Sequence, residues 1–265
     1  MKIFICIKQV PGIQEVRIDP KTNTLVREGI PSIMNPHDKH GVQLALDLKK
    51  ENNAEVIALS MGPPQAEEVL REALAMCVDQ AYLLTDRAFA GADTLATSHV
   101  LALAVKKLIE KNEKYIVICG VQAIDGDTAQ VGPEMAEELS IPQITYVINF
   151  EIKKDKAIVE RTFRPEETVI IESPLPVLVS VTKEINLPKY PALDGIANAY
   201  TEKEVQYLNA EDLDAKKENI GLTGSMTEVW KIFVPERKGE HKILEGSIEK
   251  QTKDLCNYLR EDNIF

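Results

Sequence analysis

Tyr115-Ile116-Val117-Ile118-Cys119-Gly120-Val121-Gln122-Ala123-Ile124-Asp125-Gly126-Asp127-Thr128-Ala129-Gln130-Val131-Gly132-Pro133 reads as a buried strand running into a turn and then a helix. Residues 115–119 form an apolar run without polar alternation, as expected of a strand covered on both faces of a parallel sheet. Asp125-Gly126 supplies a turn, and Asp127 or Thr128 is the expected cap of a helix over residues 127–139. Strand, turn and helix in this order are the repeating unit of α/β folds.

The same alternation extends upstream. Residues 2–10 read as a strand closed by Pro11-Gly12, and 38–51 as a helix with Val42, Leu44, Ala45, Leu46 and Leu48 toward a sheet. A strand at 55–60 stops at Met61-Gly62-Pro63-Pro64, and a helix over 65–76 follows Pro64, where a missing N–H costs little. A third strand is expected at 80–84 and a long helix at 93–111, with Leu95, Val100, Leu103, Ala104 and Leu108 inward. After Pro142, residues 144–150, 156–163, 168–172 and 177–181 read as strands in a partly antiparallel arrangement. Residues 201–246 contain Gly221, Gly224 and Gly239 but no strong periodicity, and exceed an ordinary loop, so an arm lying on a partner is expected. A last helix, 247–260, puts Ile248, Leu255 and Leu259 on one stripe, with Ser247 as its cap. The expected fold is therefore α/β: an open, mostly parallel sheet with helices on both faces, followed by an extended C-terminal arm and a final helix. The domain division expected is 1–200 for the nucleotide-binding unit and 201–265 for the arm.

The 265 residues include 31 basic and 42 acidic side chains, a formal charge of −11, which disfavours nucleic acid and anionic membranes as partners. No apolar run approaches the roughly 20 residues of a spanning helix. The N-terminus is too short and strand-like for a secretion signal, so a cytoplasmic location is expected. Cys6, Cys77, Cys119 and Cys256 lack the close pairing of zinc ribbons or redox dithiols, and Cys6 and Cys119 read as small buried hydrophobes. There is no HExxH among the histidines, and no Walker or GxGxxG sequence.

In an open parallel sheet, ligands gather where strand carboxyl ends lead into helix N-termini. Four loops occupy that edge. The first, residues 119–133, offers unpaired helix-start N–H groups suited to phosphate, and Gly126 permits close backbone approach. Carboxylates repel phosphate, which leaves Asp125 and Asp127 with turn, ribose or capping roles. The second loop is Met61-Gly62-Pro63. The third is Phe89-Ala90-Gly91-Ala92-Asp93-Thr94-Leu95-Ala96-Thr97, again opening a helix. In the fourth, Met34-Asn35-Pro36-His37-Asp38, Asn35 and Asp38 either meet a base or ribose or merely cap a helix, and His37 reads as a surface residue. Each loop alone also reads as an ordinary capped turn. Four on one edge read as a nucleotide crevice.

Together these segments resemble the β subunit of electron transfer flavoprotein. The likeness is carried by IKQVPG at 7–12, MNPHDKHGVQLAL at 34–46, LSMGPPQAEEVLREALAMCVDQA at 59–81 and CGVQAIDGDTAQVGPEMAEEL at 119–139. It continues through VERTFRPEETVIIESPLPVLVSVT at 159–182 and LPKYPALDGIANAY at 187–200. The resemblance implies an adenine-nucleotide α hydrolase-like fold and a heterodimer whose α subunit carries one FAD. The β subunit then holds a second nucleotide: AMP in the conventional electron carrier, FAD in the electron-bifurcating type. The sequence is similar to the second type in Asp125-Gly126-Asp127-Thr128-Ala129-Gln130-Val131-Gly132 and in Gly91-Ala92-Asp93-Thr94-Leu95-Ala96-Thr97. Carried over by position, Cys6, Asn35, Asp38, Met61, Gln122, Ala123, Ile124, Asp125, Gly126, Asp127, Thr128, Ala129, Gln130 and Val131 fall to the flavin nucleotide. Gly62, Gly91, Ala92, Asp93, Thr94 and Leu95 fall to NAD.

The implied activity is hydride acceptance from NADH. One electron then passes through the α-subunit FAD to an acyl-CoA dehydrogenase-type flavoenzyme, and the other to ferredoxin or flavodoxin. The cofactors carry this chemistry, which accords with a sequence showing no nucleophile, triad or metal cluster. The 187–200 segment matches the family's recognition loop, with Leu193 at the anchoring position between Tyr190 and Ile196. The rival reading packs Leu193 on its own subunit. Two other functions share the expected sheet: the conventional AMP-binding carrier, and a universal-stress-type nucleotide sensor without electron chemistry.

Overall fold

The computed structural model describes residues 1–12, 17–18, 25–26, 31–164, 167–230, 243–262 and 264. Pro165, Glu166 and Gly239, which belong to segments singled out above, lie outside these residues, as does the 231–242 part of the expected arm.

Nine strands form one sheet: β1 (Lys2–Cys6), β2 (Glu55–Met61), β3 (Gln80–Leu84), β4 (Tyr115–Gly120), β5 (Gln143–Lys153), β6 (Lys156–Arg164), β7 (Glu167–Pro174), β8 (Val177–Val181) and β9 (Val205–Leu208). Their spatial order is β7-β6-β5-β8-β4-β1-β2-β3-β9. The β5–β6–β7 meander is antiparallel, and every other neighbouring pair is parallel. The longer helices are α1 (Pro36–Asn52), α2 (Glu67–Ala75), α3 (Thr94–Leu108), α4 (Val131–Leu139), α5 (Leu193–Thr201) and α6 (Ile248–Glu261), with a single helical turn at Gly221–Gly224. Among the described residues no helix is long and apolar enough to cross a membrane.

The two-residue strand period divides the core. Ile3 and Ile5 of β1 point into a cluster with Val42, Leu44 and Leu48 of α1, Leu70 of α2 and Ala199 of α5. Phe4 and Cys6 point the other way, to Val100 and Ala104 of α3 and Met135 of α4. Tyr115–Gly120 is buried along its first five residues, between β1 and β8, as its unbroken apolar run predicts. The fold expected from the sequence is thus the fold observed.

Several boundaries differ, each for a local reason. The strand expected over 2–10 ends at Cys6; Gln9–Pro11 leaves the sheet to pair antiparallel with Ser32–Met34. The helix expected over 127–139 starts at Val131, because Asp127 and Ala129 take left-handed φ values of 49° and 54° that an α-helix excludes. Neither Asp127 nor Thr128 caps it. The Asp127 carboxylate instead accepts from Gln122 Nε2 at 2.9 Å. The expected helix at 93–111 ends at Leu108, and residues 65–76 divide into a 3-10 turn, Pro64–Ala66, and α2. The sheet also continues past the expected division at 200, since Val205–Leu208 pairs with β3. Two sequence-expected caps hold: Asp93 accepts from Ala96 N, and Ser247 from Lys250 N.

Where β4 meets α1 the backbones touch. A Cβ on Gly120 would lie 2.2 Å from Asp38 Oδ1, 2.8 Å from His37 Cβ and 2.9 Å from Asp38 N. Gly120→Ala should therefore cost on the order of 1–3 kcal/mol by overpacking, read as a lower denaturant midpoint with unchanged m-value.

Candidate functional site

The carboxyl ends of β1, β2, β3 and β4 open onto one cleft of about 880 Å³. Residues 119–123, 126 and 128–132 form one wall, Met61 and residues 62–64 a second, and residues 85–87, 89–94, 97 and 101 a third. Residues 6–8 with Asn35 and Asp38 lie at its base. Of the residues expected from sequence, Cys6, Asn35, Asp38, Met61, Gly62, Gly91, Ala92, Asp93, Thr94, Gln122, Ala123, Gly126, Thr128, Ala129, Gln130 and Val131 line this cleft. Leu95, Ile124, Asp125 and Asp127 stand outside its lining. Sequence reading missed Lys8, Arg87 and Leu101, while Phe89 and Thr97 fall within the third loop it had singled out. The signal for Arg87 was available: Thr85-Asp86-Arg87 follows the carboxyl end of β3, where ligands are expected.

At the base, Asn35 and Asp38 are spent on the protein itself. Asp38 Oδ2 accepts from Lys8 N at 2.8 Å and Oδ1 from Asn35 Nδ2 at 2.8 Å. Asn35 Nδ2 also donates to Gln122 O at 2.9 Å, and Asn35 Oδ1 accepts from Ile124 N at 3.2 Å. Asn35 makes no side-chain cap to α1. The two residues are braces joining β1, α1 and the loop after β4, rather than the caps that sequence allowed. Burial pushes the Asp38 carboxyl up to about 7, against the opposing hydrogen bonds from Asn35, Lys8 and Gly120. Lys8 Nζ closes the same corner, 2.8 Å from both carboxylate oxygens of Asp125. His37 is half-buried rather than a surface residue, with Nδ1 unpartnered, and burial lowers its pKa.

Cys6 and Cys119 are buried neighbours on β1 and β4, as their sequence context suggested. A hydrogen bond in which the Cys119 thiol donates to Cys6, reinforced by burial, raises the Cys119 pKa and keeps it a neutral thiol.

The α4 start provides donors. Gln130 occupies its N-cap position without a side-chain cap, and Gly126 has no atom within 4 Å of where a Cβ would stand. Val131 and Gly132, which line the cleft, are the first-turn residues whose N–H groups have no side-chain cap. Thr94 Oγ1 contacts Gln130 Oε1 at 3.3 Å and Glu134 Oε1 at 3.2 Å, tying the α3 start to the α4 start. Across the cleft Arg87 is exposed and forms no ion pair among the described residues. Its neighbour Asp86 is held below the usual carboxylate range by N–H donors from Ala88 and Ala210.

Asp93 does more than cap α3. Its Oδ2 accepts from Met226 N at 2.8 Å, Thr227 N at 3.0 Å and Thr227 Oγ1 at 3.0 Å, while Asp93 N donates to Ser225 Oγ at 2.9 Å. A Cβ on Gly221, at φ 57°, would lie 2.1 Å from Ala88 O. Residues 221–227 are thus clamped to the third loop.

Uncapped helix-start donors, a free guanidinium, hydroxyls from Thr94, Thr97 and Thr128, and apolar surfaces from Met61, Phe89, Leu101 and Val131 fit a ligand with phosphates and a flat apolar ring. Fold and site define an open α/β protein whose ligand cleft lies at the carboxyl ends of its parallel strands. The electron transfer flavoprotein domain model matches residues 22–213. The chain is 51% identical over its full length, and the full length of the relative, to the electron transfer flavoprotein subunit beta of Thermoanaerobacterium thermosaccharolyticum. It is 46% identical, again over the whole of both chains, to caffeyl-CoA reductase-Etf complex subunit CarD of Acetobacterium woodii. It is 39% identical, with full coverage of both, to the acryloyl-CoA reductase electron transfer subunit gamma of Anaerotignum propionicum. The chain belongs to the electron transfer flavoprotein family, as a β subunit, and the universal-stress reading is set aside.

The Asp38 carboxyl also sets a pH dependence. Its folded pKa of about 7 lies above the unfolded 3.8, so the stability it contributes is full below pH 3.8 and lost as pH rises through about 7. Denaturant midpoints of the wild type and Asp38→Asn, compared between about pH 5 and 8, should show the wild-type advantage shrinking as pH rises.

Proposed function

We propose that this β subunit holds FAD rather than AMP in its cleft and receives electrons from NADH, as the β half of an electron-bifurcating flavoprotein. The observation that carries the reading is that the loops after β2 and β3 share one cleft of about 880 Å³ with the loop after β4. That volume lies near the top of the roughly 300–1,000 Å³ range of small-molecule sites, more than one mononucleotide requires.

On this reading the α4 start, with Gly126, Thr128 and Gln130, holds the flavin nucleotide's phosphates. Arg87, Gly62 and the residues 91–94 hold the pyridine nucleotide, and Met61, Phe89 and Leu101 supply apolar surface for the rings. FAD supplies hydride acceptance and release of electrons one at a time. The chain's own residues orient the two ligands and exclude water from between them. Asp93, which lines the cleft, also fixes the third loop through residues 225–227.

One electron goes through the α-subunit FAD to an acyl-CoA dehydrogenase-type flavoenzyme, and the other to ferredoxin or flavodoxin. Leu193 supports a docking role: it stands at the first turn of α5, 87% exposed, beside Tyr190 at 97%, and does not pack on its own subunit. Exposed apolar anchors of this kind suit small, transient redox contacts.

Two measurements test the reading. Acid extraction of the purified heterodimer should yield two FAD and no AMP; one FAD with one AMP would return the protein to the conventional carrier type. Arg87→Ala should raise KM for NADH about ten-fold, the loss of one charge-assisted phosphate contact, with flavin content unchanged.

A further inference from the structure

We infer that Arg71 of α2 is a positioning residue for partner docking: it fixes the pose of α5, and with it the exposed Leu193. The inference rests on the docking reading above and deepens it.

A short helix ending near the surface leaves its last carbonyls without intrahelical donors. In α5 the Asn198 carbonyl is taken by Glu202 N and Lys203 N, both at 3.0 Å. The next carbonyl is satisfied from another element: Arg71 Nη1 donates to Ala199 O at 2.5 Å and to Lys203 O at 2.7 Å. The guanidinium is itself aimed by Glu67, through Nε at 2.9 Å and Nη2 at 2.8 Å, and lies 5.6 Å from the Tyr200 ring centroid. The planar fork lets one side chain hold a carboxylate and two carbonyls together, which a lysine cannot reproduce.

The exchange is reciprocal. Lys203, just past α5, donates Nζ to Val78 O at 2.7 Å and Leu74 O at 3.4 Å, at the C-terminal end of α2. Each helix thus receives a cation from the other at its negative end. Gly195 brings the backbones together, since a Cβ there would lie 2.4 Å from Ala75 O. Tyr200 OH bonds Glu68 at 3.0 Å, and Tyr207 OH bonds Glu67. All this polar hardware lies on the α2 side of α5, while Leu193 and Tyr190 face solvent and Ala199 is fully buried. An apolar anchor held on a pre-ordered helix binds without paying to order it, so the network acts on affinity rather than on the cleft.

The test compares Arg71→Leu, Arg71→Lys, Leu193→Ala and Arg71→Leu/Leu193→Ala in the intact heterodimer. The binding partner is an acyl-CoA dehydrogenase-type flavoenzyme that the wild-type heterodimer reduces. Leu193→Ala should raise the Kd for the dehydrogenase. Arg71→Leu should raise it on the order of ten-fold, mainly through faster dissociation, and speed amide exchange over residues 196–201. Arg71→Lys should not restore either. The double variant should be no weaker than the weaker single, while NADH-driven flavin reduction stays at the wild-type rate. If Leu193→Ala weakens binding but both Arg71 variants bind as wild type, the positioning role is overturned and the docking reading stands. If Leu193→Ala has no effect, the docking reading fails. Should Arg71→Leu not fold, Gly195→Ala, which displaces α5 from α2 by its Cβ, must give the same affinity loss, or the inference falls.

Discussion

Asp38 sits where the end of β1, the first turn of α1 and the end of β4 converge, and the cleft takes its shape from the hydrogen bonds that carboxylate accepts. Lys8 N and Asn35 Nδ2 reach it directly, and Asn35 extends the knot to Gln122 O and Ile124 N. Burial of a carboxylate is costly unless its oxygens are paired, so the surrounding backbone has little freedom to rearrange. Gly120 belongs to the same constraint, because a side chain there would occupy the space of the Asp38 carboxylate. Three loops far apart in sequence are thereby held at fixed spacing around one opening.

The opposite wall is organised by a second carboxylate. Three donors from residues 226–227 converge on Asp93 Oδ2, each such bond to a charged group being worth roughly 1.5–3 kcal/mol in stability. The segment after β9 is thus tied to the wall of the cleft through Asp93. Met226, Val229 and Trp230 are exposed, and so are Ile248 and Leu255 of α6. The protein's own contribution to the cleft is geometric: the spacing of the loops and a helix start left without a side-chain cap at Gln130.

How far this could be read from the chain differs by element. The apolar run 115–119 and the alternating strand and helix patterns around it located the parallel strands from β1 to β8 and the helices α1 to α4, because burial on two faces demands an unbroken apolar composition. Caps whose partners lie three residues away, Asp93 and Ser247, were equally legible. The α4 start was misplaced because the cap-type residues Asp127 and Thr128 were overruled by left-handed turns at Asp127 and Ala129. Those turns follow from Asp127 N bonding Ala123 O and Gln122 reaching the Asp127 carboxylate, contacts no periodicity reveals. Asn35, Asp38 and Asp93 were recognised as important residue types, but their roles are braces set by partners 30 to 134 positions away.

Local patterning was therefore sufficient for the α/β architecture, the rim on which a nucleotide would sit and the family motifs along it, since each depends on neighbours within a strand or a helical turn. Arg87 facing the cleft, α5 in place of a loose recognition loop, the Arg71 anchor beneath it and the incorporation of Val205–Leu208 into the sheet emerged only on folding. Each is settled by contacts between segments distant in the chain, whose energies exceed the local preferences of the residues involved.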